Sequence, residues 1–202
     1  MKNIECFFDG CCEPKNPGGA MGIGALILID GNIELEYKKF VPTNQSNTNN
    51  IAEYLALEEI LNYLIDKNIT TENIVISGDS QLAVKQMNGE YGMNNGAYTP
   101  YARRCLLKIS QFNRKPIIKW IPRDQNEKAD KLSKSQLDEN GITVSTHSDN
   151  KTALPIGKYK GKDVSEITDM QYLKWFISEV KCKPVLKDAI RKRISDYEYL
   201  AK

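Results

Sequence analysis

The chain has 202 residues with a net charge of +2, and its 41% of hydrophobic residues is enough for one ordinary domain plus a small unit, or for two small domains. No apolar run is long enough to span a membrane and the first residues lack the features of a signal peptide, so we expect a cytoplasmic protein. The five cysteines lack CxxC spacing and His147 is the single histidine, which argues against a zinc framework and predicts reduced thiols.

The first part of the chain predicts three antiparallel strands. Residues 2–8 alternate in polarity, and residues 22–30 are strongly apolar. A turn signal, Asp-Gly-Asn, then leads into residues 32–41, which alternate again. Residues 42–50 are polar and predict a loop.

The next part of the chain alternates between helical and strand patterns. The predicted elements are a helix from Ile51 to about Asp66, a strand at 73–79, a helix at 81–87, a helix from Pro100 to about Phe112, a strand at 116–122 and a helix from Gln125 to about Leu137.

Polar residues predict where three of these helices begin. Ser80 is the expected N-cap of the helix at 81–87, and Thr99 that of the helix opened by Pro100. Asp124 and Glu127 have the spacing of a capping box for the last helix of this series.

This order of elements predicts an α/β fold with a mixed five-stranded sheet, three antiparallel strands followed by two parallel ones, and helices on both faces. Residues 139–153 are polar without periodicity and predict a linker. We therefore expect a main domain at 1–138 and a small, mainly helical domain at 154–202.

Four acidic residues fall where such a fold would gather them. Asp9 and Asp79 each end a predicted buried strand, Glu53 lies in the first turn of a helix, and Asp130 lies one turn inside the last helix of the main domain. In open α/β sheets, ligands bind at the carboxyl ends of the strands, so these four side chains are expected to meet there. Taken one at a time, each could equally be a cap or a solvated surface group.

Four carboxylates in close contact repel one another, and divalent cations remove that repulsion. Mg²⁺ prefers carboxylate oxygens and keeps some of its waters, which leaves room for substrate phosphates. Two such ions about 4 Å apart can hold the attacking water and the leaving oxygen of a phosphodiester. The sequence thus predicts a site for two Mg²⁺ ions, with Mn²⁺ as a substitute. Such a site needs no histidine or serine nucleophile.

Four segments of residues 1–138 together resemble a type 1 ribonuclease H. They are FFDGCCEPKNPGG with GIGALI, TNNIAEYLAL, SGDSQLAV and PRDQNEKADKLS, in the order of that family. The resemblance implies a ribonuclease H-like fold and hydrolysis of the RNA strand of RNA–DNA hybrids, leaving 3′-hydroxyl and 5′-phosphate ends. It also implies that Asp9, Glu53, Asp79 and Asp130 are the catalytic, metal-binding acids.

The resemblance further implies a set of contacts to the hybrid. Neutral amides suit the 2′-hydroxyls of the minor groove because they both donate and accept hydrogen bonds. The implied contacts are the side chains of Asn16, Asn50 and Gln81 in the minor groove, Thr48 at a DNA phosphate, and backbone groups of Gly10 and Cys11 at the RNA.

The sequence departs from that family's pattern in two places. Many bacterial members carry a histidine on a loop shortly before the last acid, whereas the segment IPRDQNEKAD has none and His147 lies in the predicted linker. Some members also insert a basic helix and loop after the Asp79 helix, whereas residues 89–98 contain no Lys or Arg. Product release, proton handling and phosphate affinity are therefore expected to differ.

The C-terminal part of the chain is basic. Residues 153–202 hold 11 Lys and Arg against 7 Asp and Glu, whereas residues 1–138 hold 16 against 17. Residues 154–202, with predicted helices at 169–180 and 184–199, resemble a small uncharacterised prokaryotic module built around a Pro-x-Gly-Lys-Tyr-Lys-Gly-Lys turn, a resemblance that implies no defined activity. We expect contact with a nucleic-acid backbone, duplex included, or else a folding unit with solvated lysines. The candidate contacts are Lys158, Lys160, Lys162, Arg191 and Arg193.

Three functions remain open at this point. The first is a metal-dependent hybrid nuclease, and the second is a protein of the same fold that binds hybrids or duplexes without catalysis. The third is another nuclease of the wider superfamily, such as a junction resolvase or a transposase. No obligate protein partner is predicted.

Overall fold

The structure, a computed structural model, describes residues 2–93, 95–142, 154–182 and 184–200. The chain divides into two compact units, Met1–Ser145 and Thr146–Lys202. Most of the predicted linker, and His147 with it, lies outside the described residues, so the predicted domain boundaries stay a prediction. Among the described helices, none combines the length and apolar character that a membrane crossing requires.

The first unit is built from strands and helices in the predicted order. Its elements are β1 (Asn3–Glu13), β2 (Ala20–Ile29), β3 (Asn32–Val41), α1 (Asn49–Asp66), β4 (Asn73–Gly78), α2 (Gln81–Met87), α3 (Thr99–Ile109), β5 (Ile117–Trp120) and α4 (Glu127–Glu139).

The strands form one five-stranded sheet in the order β3-β2-β1-β4-β5. The β1–β2 and β2–β3 pairs are antiparallel, and the β1–β4 and β4–β5 pairs are parallel. The predicted mixed sheet, with three antiparallel strands followed by two parallel ones, is confirmed.

The first strand is longer than predicted, because residues 2–8 are only its first part. Its parallel pairing with β4 ends at the Phe8–Gly78 pair. Its antiparallel pairing with β2 continues from Asp9 to Glu13. Asp9 is therefore not at the tip of β1 but at the point where β1 extends past the end of β4, and this point is the carboxyl edge of the parallel strands.

Helices cover both faces of the sheet. Gly10 of β1 is pressed against the backbone of α1, and Gly24 of β2 is pressed against the backbone of α4. Because Gly24 is paired with Asp9, the residue next to Gly10, these two contacts lie on opposite faces of the sheet. The larger core lies on the α1 face, where Tyr54 and Leu57 of that helix are fully buried.

Two predicted helix caps are wrong. Asp124 lies in a 3₁₀ turn, Arg123–Gln125, and α4 begins only at Glu127 without a side-chain cap, so no capping box forms. Thr99 is the first residue of α3 rather than its cap, and its hydroxyl oxygen accepts a hydrogen bond from the Gly96 amide at 3.0 Å. Thr99 thus stabilises the loop before α3 and does not cap the helix.

Two other helix starts have side-chain caps. Ser80 accepts from the Ala83 amide and caps α2, as predicted. Helix α1 begins two residues earlier than predicted because Thr48 accepts from the Ile51 amide. Glu53 therefore lies at the start of the second turn of α1 and not in its first.

The second unit contains a 3₁₀ turn, Val164–Glu166, and two helices, α5 (Met170–Glu179) and α6 (Pro184–Leu200). The side chain of Asp169 accepts from the Tyr172 amide and caps α5. The unit has its own small core, whose buried residues are Leu154, Val164, Ile167, Leu173, Phe176, Leu186 and Ile190.

Candidate active site

Three of the four predicted acids meet at the carboxyl edge of the parallel strands. Asp9 comes from β1, Glu53 from α1, and Asp79 directly follows β4. One carboxylate oxygen from each residue lies within 4.8 Å of the other two. The three residues are far apart in the sequence. The parallel pairing of β1 with β4 brings Asp9 next to Asp79, and the packing of α1 on the sheet adds Glu53.

The environment of these acids disfavours their charged forms. Asp9 is only 5% exposed. Burial raises the pKa of Asp9 to about 6, with further upward contributions from Asp79 and Asp130 that the hydrogen bond from Ser133 opposes. Burial, followed by the charges of Asp9 and Asp79, holds the pKa of Glu53 well above its usual range. Without a cation the site stores electrostatic repulsion.

Neighbouring polar groups orient two of the acids. The Ser133 hydroxyl of α4 donates to Asp9. The Asn126 amide donates to the Phe8 carbonyl at 2.9 Å and to Asp79 Oδ1 at 3.1 Å, so this one side chain connects β1 to the end of β4. The indole of Trp120 donates to the Asp79 carbonyl at 3.0 Å.

Asp130 differs from the other three acids. Arg123 and Lys134 each contact one of its carboxylate oxygens at 2.7 Å. Partial burial favours a higher pKa for Asp130, but the hydrogen bonds from Lys134 and Arg123 outweigh it and lower that pKa. Asp130 lies outside the group of three, yet its charge is felt at Asp9 and Glu53. Of the four predicted acids, three thus lie together, and the fourth, Asp130, forms ion pairs with Arg123 and Lys134.

The sequence alone missed the residues that support these acids, although three of them, Arg123, Asn126 and Ser133, lie within the last quoted segment, PRDQNEKADKLS. Arg123 precedes Asp130 by seven residues, and only the 3₁₀ turn between them brings the two charges together. Ser133 lies one turn after Asp130 and faces the sheet where Gly22 and Gly24 admit α4. A small polar residue one turn after an acid was the only signal for Ser133.

The group of three fits a hard divalent cation. All its donors are carboxylate oxygens, which Mg²⁺ and Mn²⁺ prefer. Glu53 Oε2 is buried and has no hydrogen-bond partner among the described residues. A buried carboxylate oxygen without a donor is costly, and a cation would satisfy it.

The predicted substrate contacts lie on two neighbouring loops and two helix starts. Asn16 is exposed, and its side chain accepts from the Asn49 amide at 3.2 Å. Buried Asn47 donates to the Gly19 carbonyl at 2.9 Å, which fastens the same two loops together. Asn50 is half-buried in the first turn of α1, and Gln81 is exposed at the start of α2.

The remaining predicted contacts already have structural partners. Thr48 uses its hydroxyl oxygen to cap α1. Gly10 is buried beneath α1, and the Cys11 thiol contacts the Gly22 carbonyl at 3.7 Å. These contacts hold the residues in position within the protein. For all six predicted substrate contacts, binding to the hybrid stays a prediction.

The raised pKa of Asp9 predicts how pH affects the stability of the metal-free protein. At about pH 3 and below, the carboxyl is protonated in the folded and unfolded chains alike, so its burial costs nothing. Between about pH 4 and pH 6 the unfolded chain ionises this carboxyl while the folded protein keeps it protonated, and above about pH 6 the folded protein carries a buried charge that the unfolded chain exposes to water. We expect this to lower the free energy of unfolding by about 3 kcal/mol.

Urea unfolding of the wild type and of Asp9→Asn in EDTA, from pH 4 to pH 8, measures this cost. The variant should gain stability relative to the wild type as the pH rises, and the gain should level off above the pKa of Asp9. Added Mg²⁺ should stabilise the wild type more than the variant at pH 8 and neither of them at pH 4. A difference between the two proteins that stays constant with pH would contradict the assignment.

Comparisons with known proteins find relatives of the first unit. Residues 7–136 match the family described as reverse transcriptase-like. Ribonuclease HI of Halobacterium salinarum is 33% identical over 136 residues, which cover 67% of this chain and 65% of that protein. The chain spans only 59% and 65% of the length of two curated relatives that it matches.

Two solved structures have the same fold. The crystal structure of RNase H1 from Halobacterium salinarum NRC-1 has a TM-score of 0.59 and 30% identity, covering 68% of this chain and 98% of that one. LC11-RNase H1, solved in complex with an RNA/DNA hybrid, has a TM-score of 0.60 and 26% identity, covering 68% of this chain and 98% of that one.

Proposed function

The chain belongs to the reverse transcriptase-like family over residues 7–136 and is homologous there to ribonuclease HI, and on this premise we propose that it cuts the RNA strand of RNA–DNA hybrids. The reaction proposed is endonucleolytic hydrolysis at a site of carboxylates and two divalent cations, leaving 3′-hydroxyl and 5′-phosphate ends. We place it in the cytoplasm.

The observation that carries this proposal is the group formed by Asp9, Glu53 and Asp79, with carboxylate oxygens within 4.8 Å of one another. A protein that only binds nucleic acid gains nothing from buried acids that repel both each other and the phosphates. The group makes chemical sense as a site for cations that are themselves attracted to phosphates.

The proposed cofactor is Mg²⁺, two ions in all, with Mn²⁺ as a substitute. Asp9, Glu53 and Asp79 would bind these ions, and Asp130 would be a further ligand. When bound, such cations supply a more acidic water and neutralise charge on the reacting phosphate.

The surrounding side chains would prepare the acids for this role. Ser133 fixes the orientation of the Asp9 carboxylate, and Asn126 fixes that of Asp79. The side chains of Lys134 and Arg123 lower the pKa of Asp130, which keeps its carboxyl ionised and so available as a metal ligand. The side chain of Arg123 is 44% exposed, so its guanidinium can also donate hydrogen bonds to a substrate phosphate.

Recognition of the hybrid would use the polar side chains at the rim of this site. Asn16, Asn50 and Gln81 carry amides, which donate to and accept from the 2′-hydroxyls of the RNA strand. Thr48 would lie at a DNA phosphate, and the backbone at Gly10 and Cys11 would face the RNA. These assignments follow the resemblance in the sequence.

A cleavage assay on matched substrates tests the proposal. An RNA–DNA hybrid, an RNA duplex and a DNA duplex of one sequence are incubated with the protein and Mg²⁺ or Mn²⁺. We expect the RNA strand of the hybrid to be cut and both other duplexes to stay intact, with no cleavage in EDTA. Binding of the hybrid without cleavage would favour the non-catalytic alternative, and cleavage of the DNA duplex would favour a nuclease of another class.

A further inference from the structure

The lysine-rich segment of the second unit is a closed turn. The Leu154 amide donates to the Lys162 carbonyl at 3.0 Å, and the Gly161 amide donates to the Leu154 carbonyl at 2.8 Å. Gly157 and Gly161 have φ angles of +86° and +81°, a backbone conformation that favours glycine. The turn therefore has a defined shape, and it keeps the side chains of Lys158, Lys160 and Lys162 exposed.

Aromatic side chains support this turn. Tyr159 packs edge-on against Tyr172, with ring centroids 5.0 Å apart, and Tyr172 contacts Trp175 at 5.4 Å. The ammonium groups of Lys158 and Lys162 lie 4.9 and 5.9 Å from the centre of the Tyr159 ring. Trp175 is 51% exposed, so its ring is accessible from the same side as the turn's lysines through its contact with Tyr172. We call Lys158, Lys160, Lys162, Tyr159, Tyr172 and Trp175 the lysine–aromatic face.

The basic residues predicted to contact a nucleic-acid backbone differ in their surroundings. Arg193 donates to the Ile167 carbonyl at 3.3 Å and is half-buried, which gives it a structural role. Arg191 pairs with Asp188 at 3.6 Å on its own helix. Lys158 pairs with Asp169 at 3.2 Å, whereas neither Lys160 nor Lys162 forms an ion pair with a described residue.

We propose that the lysine–aromatic face binds the phosphate backbone of duplex nucleic acid, separately from the active site. Lysines act as point charges toward phosphates, and the excess of basic residues in 153–202, 11 against 7, is complementary to a polyanion. Neither observation depends on catalysis, so this inference stands apart from the proposed nuclease activity.

The arrangement of the rings favours a duplex over a single strand. Single-strand binding proteins present several exposed aromatic rings, on which successive bases stack. Here Tyr159 and Tyr172 are half-buried and packed against each other, so Trp175 is the one ring of this face that is largely exposed. A single exposed ring beside a rigid basic turn suits contact with the sugar–phosphate edge of a duplex.

Binding by the full chain in EDTA tests this inference, because EDTA removes the divalent cations that the proposed cleavage needs. Hybrid, DNA duplex and single strands of one sequence are titrated by fluorescence anisotropy at several salt concentrations. The double variant Lys160→Ala/Lys162→Ala should weaken duplex binding and reduce the slope of log affinity against log salt by about 1.8, since each lost phosphate contact removes about 0.9. Trp175→Ala should weaken binding several-fold and leave that slope unchanged.

The matched control is Lys181→Ala/Lys192→Ala, which removes the same charge from two exposed lysines of the same unit that lie outside the lysine–aromatic face. It should leave the slope close to that of the wild type. An equal loss of slope in both double variants would mean that only net charge matters and would overturn the proposal. Tighter binding of single strands than of duplexes would overturn the duplex assignment. Thermal unfolding of each variant checks that the second unit remains folded.

Discussion

Replacing Asp9 by Asn is expected to reduce hybrid cleavage roughly a thousandfold or more while the protein stays folded. The substitution keeps the size of the side chain and removes one negative charge from the group that Asp9 forms with Glu53 and Asp79. A metal site built from hard oxygens loses affinity when a charged ligand becomes neutral. The buried charge also disappears, so the metal-free variant should be at least as stable as the wild type at neutral pH.

Three measurements on Asp9→Asn separate these effects. Single-turnover cleavage reports the chemical step, calorimetric titration with Mg²⁺ reports the ligand set, and thermal unfolding reports the fold. Glu127→Gln is the matched control, because Glu127 is exposed and pairs only weakly with Lys131 at 3.7 Å. It should cleave at the wild-type rate. Asp9→Asn protein that keeps its full rate and Mg²⁺ affinity would exclude this carboxylate as a metal ligand.

The sequence predicted the sheet well because its signals are local. The apolar run of β2 and the alternation in β3 define two strands, and the short run before Asp79 defines β4. The far end of β1 could not be predicted, because Gly10, Cys11 and Cys12 have no strand pattern. They are extended because β2 pairs with them. That pairing is a tertiary effect, which no local pattern contains.

The site was predicted in part for the same reason. Acids after buried strands predict a group at the carboxyl edge of the sheet, and Asp9, Glu53 and Asp79 form one. The ion pairs of Asp130 depend on a 3₁₀ turn that the capping-box pattern concealed. Asn126 fell within the helix predicted from Gln125, and its role could not be predicted because its two acceptors belong to Phe8 and Asp79, which are distant in the sequence.

The largest structural effect is expected for Gly10→Ala. A Cβ atom at this position would lie 2.2 Å from the carbonyl carbon of Ala52 and 2.3 Å from the amide nitrogen of Glu53. Both are backbone atoms of a helix and cannot rotate away, so α1 must move off the sheet. Overpacking of this kind costs about 3 kcal/mol, occasionally more. Because α1 carries Glu53 and β1 carries Asp9, the same displacement separates two acids of the site.

Urea unfolding and cleavage measured together test this coupling between packing and chemistry. Gly92→Ala is the matched control, since among the described residues, its two chain neighbours apart, no atom lies within 4 Å of an added Cβ at Gly92 and its φ angle suits other residues. Gly10→Ala should lose about 3 kcal/mol of stability and roughly a hundredfold in cleavage rate even under conditions where it is fully folded. Gly92→Ala should change neither. A Gly10→Ala protein that is destabilised but cleaves normally when folded would show that the distance between β1 and α1 does not set the geometry of the acids. Retention of both properties would mean that α1 does not rest on β1 at this glycine.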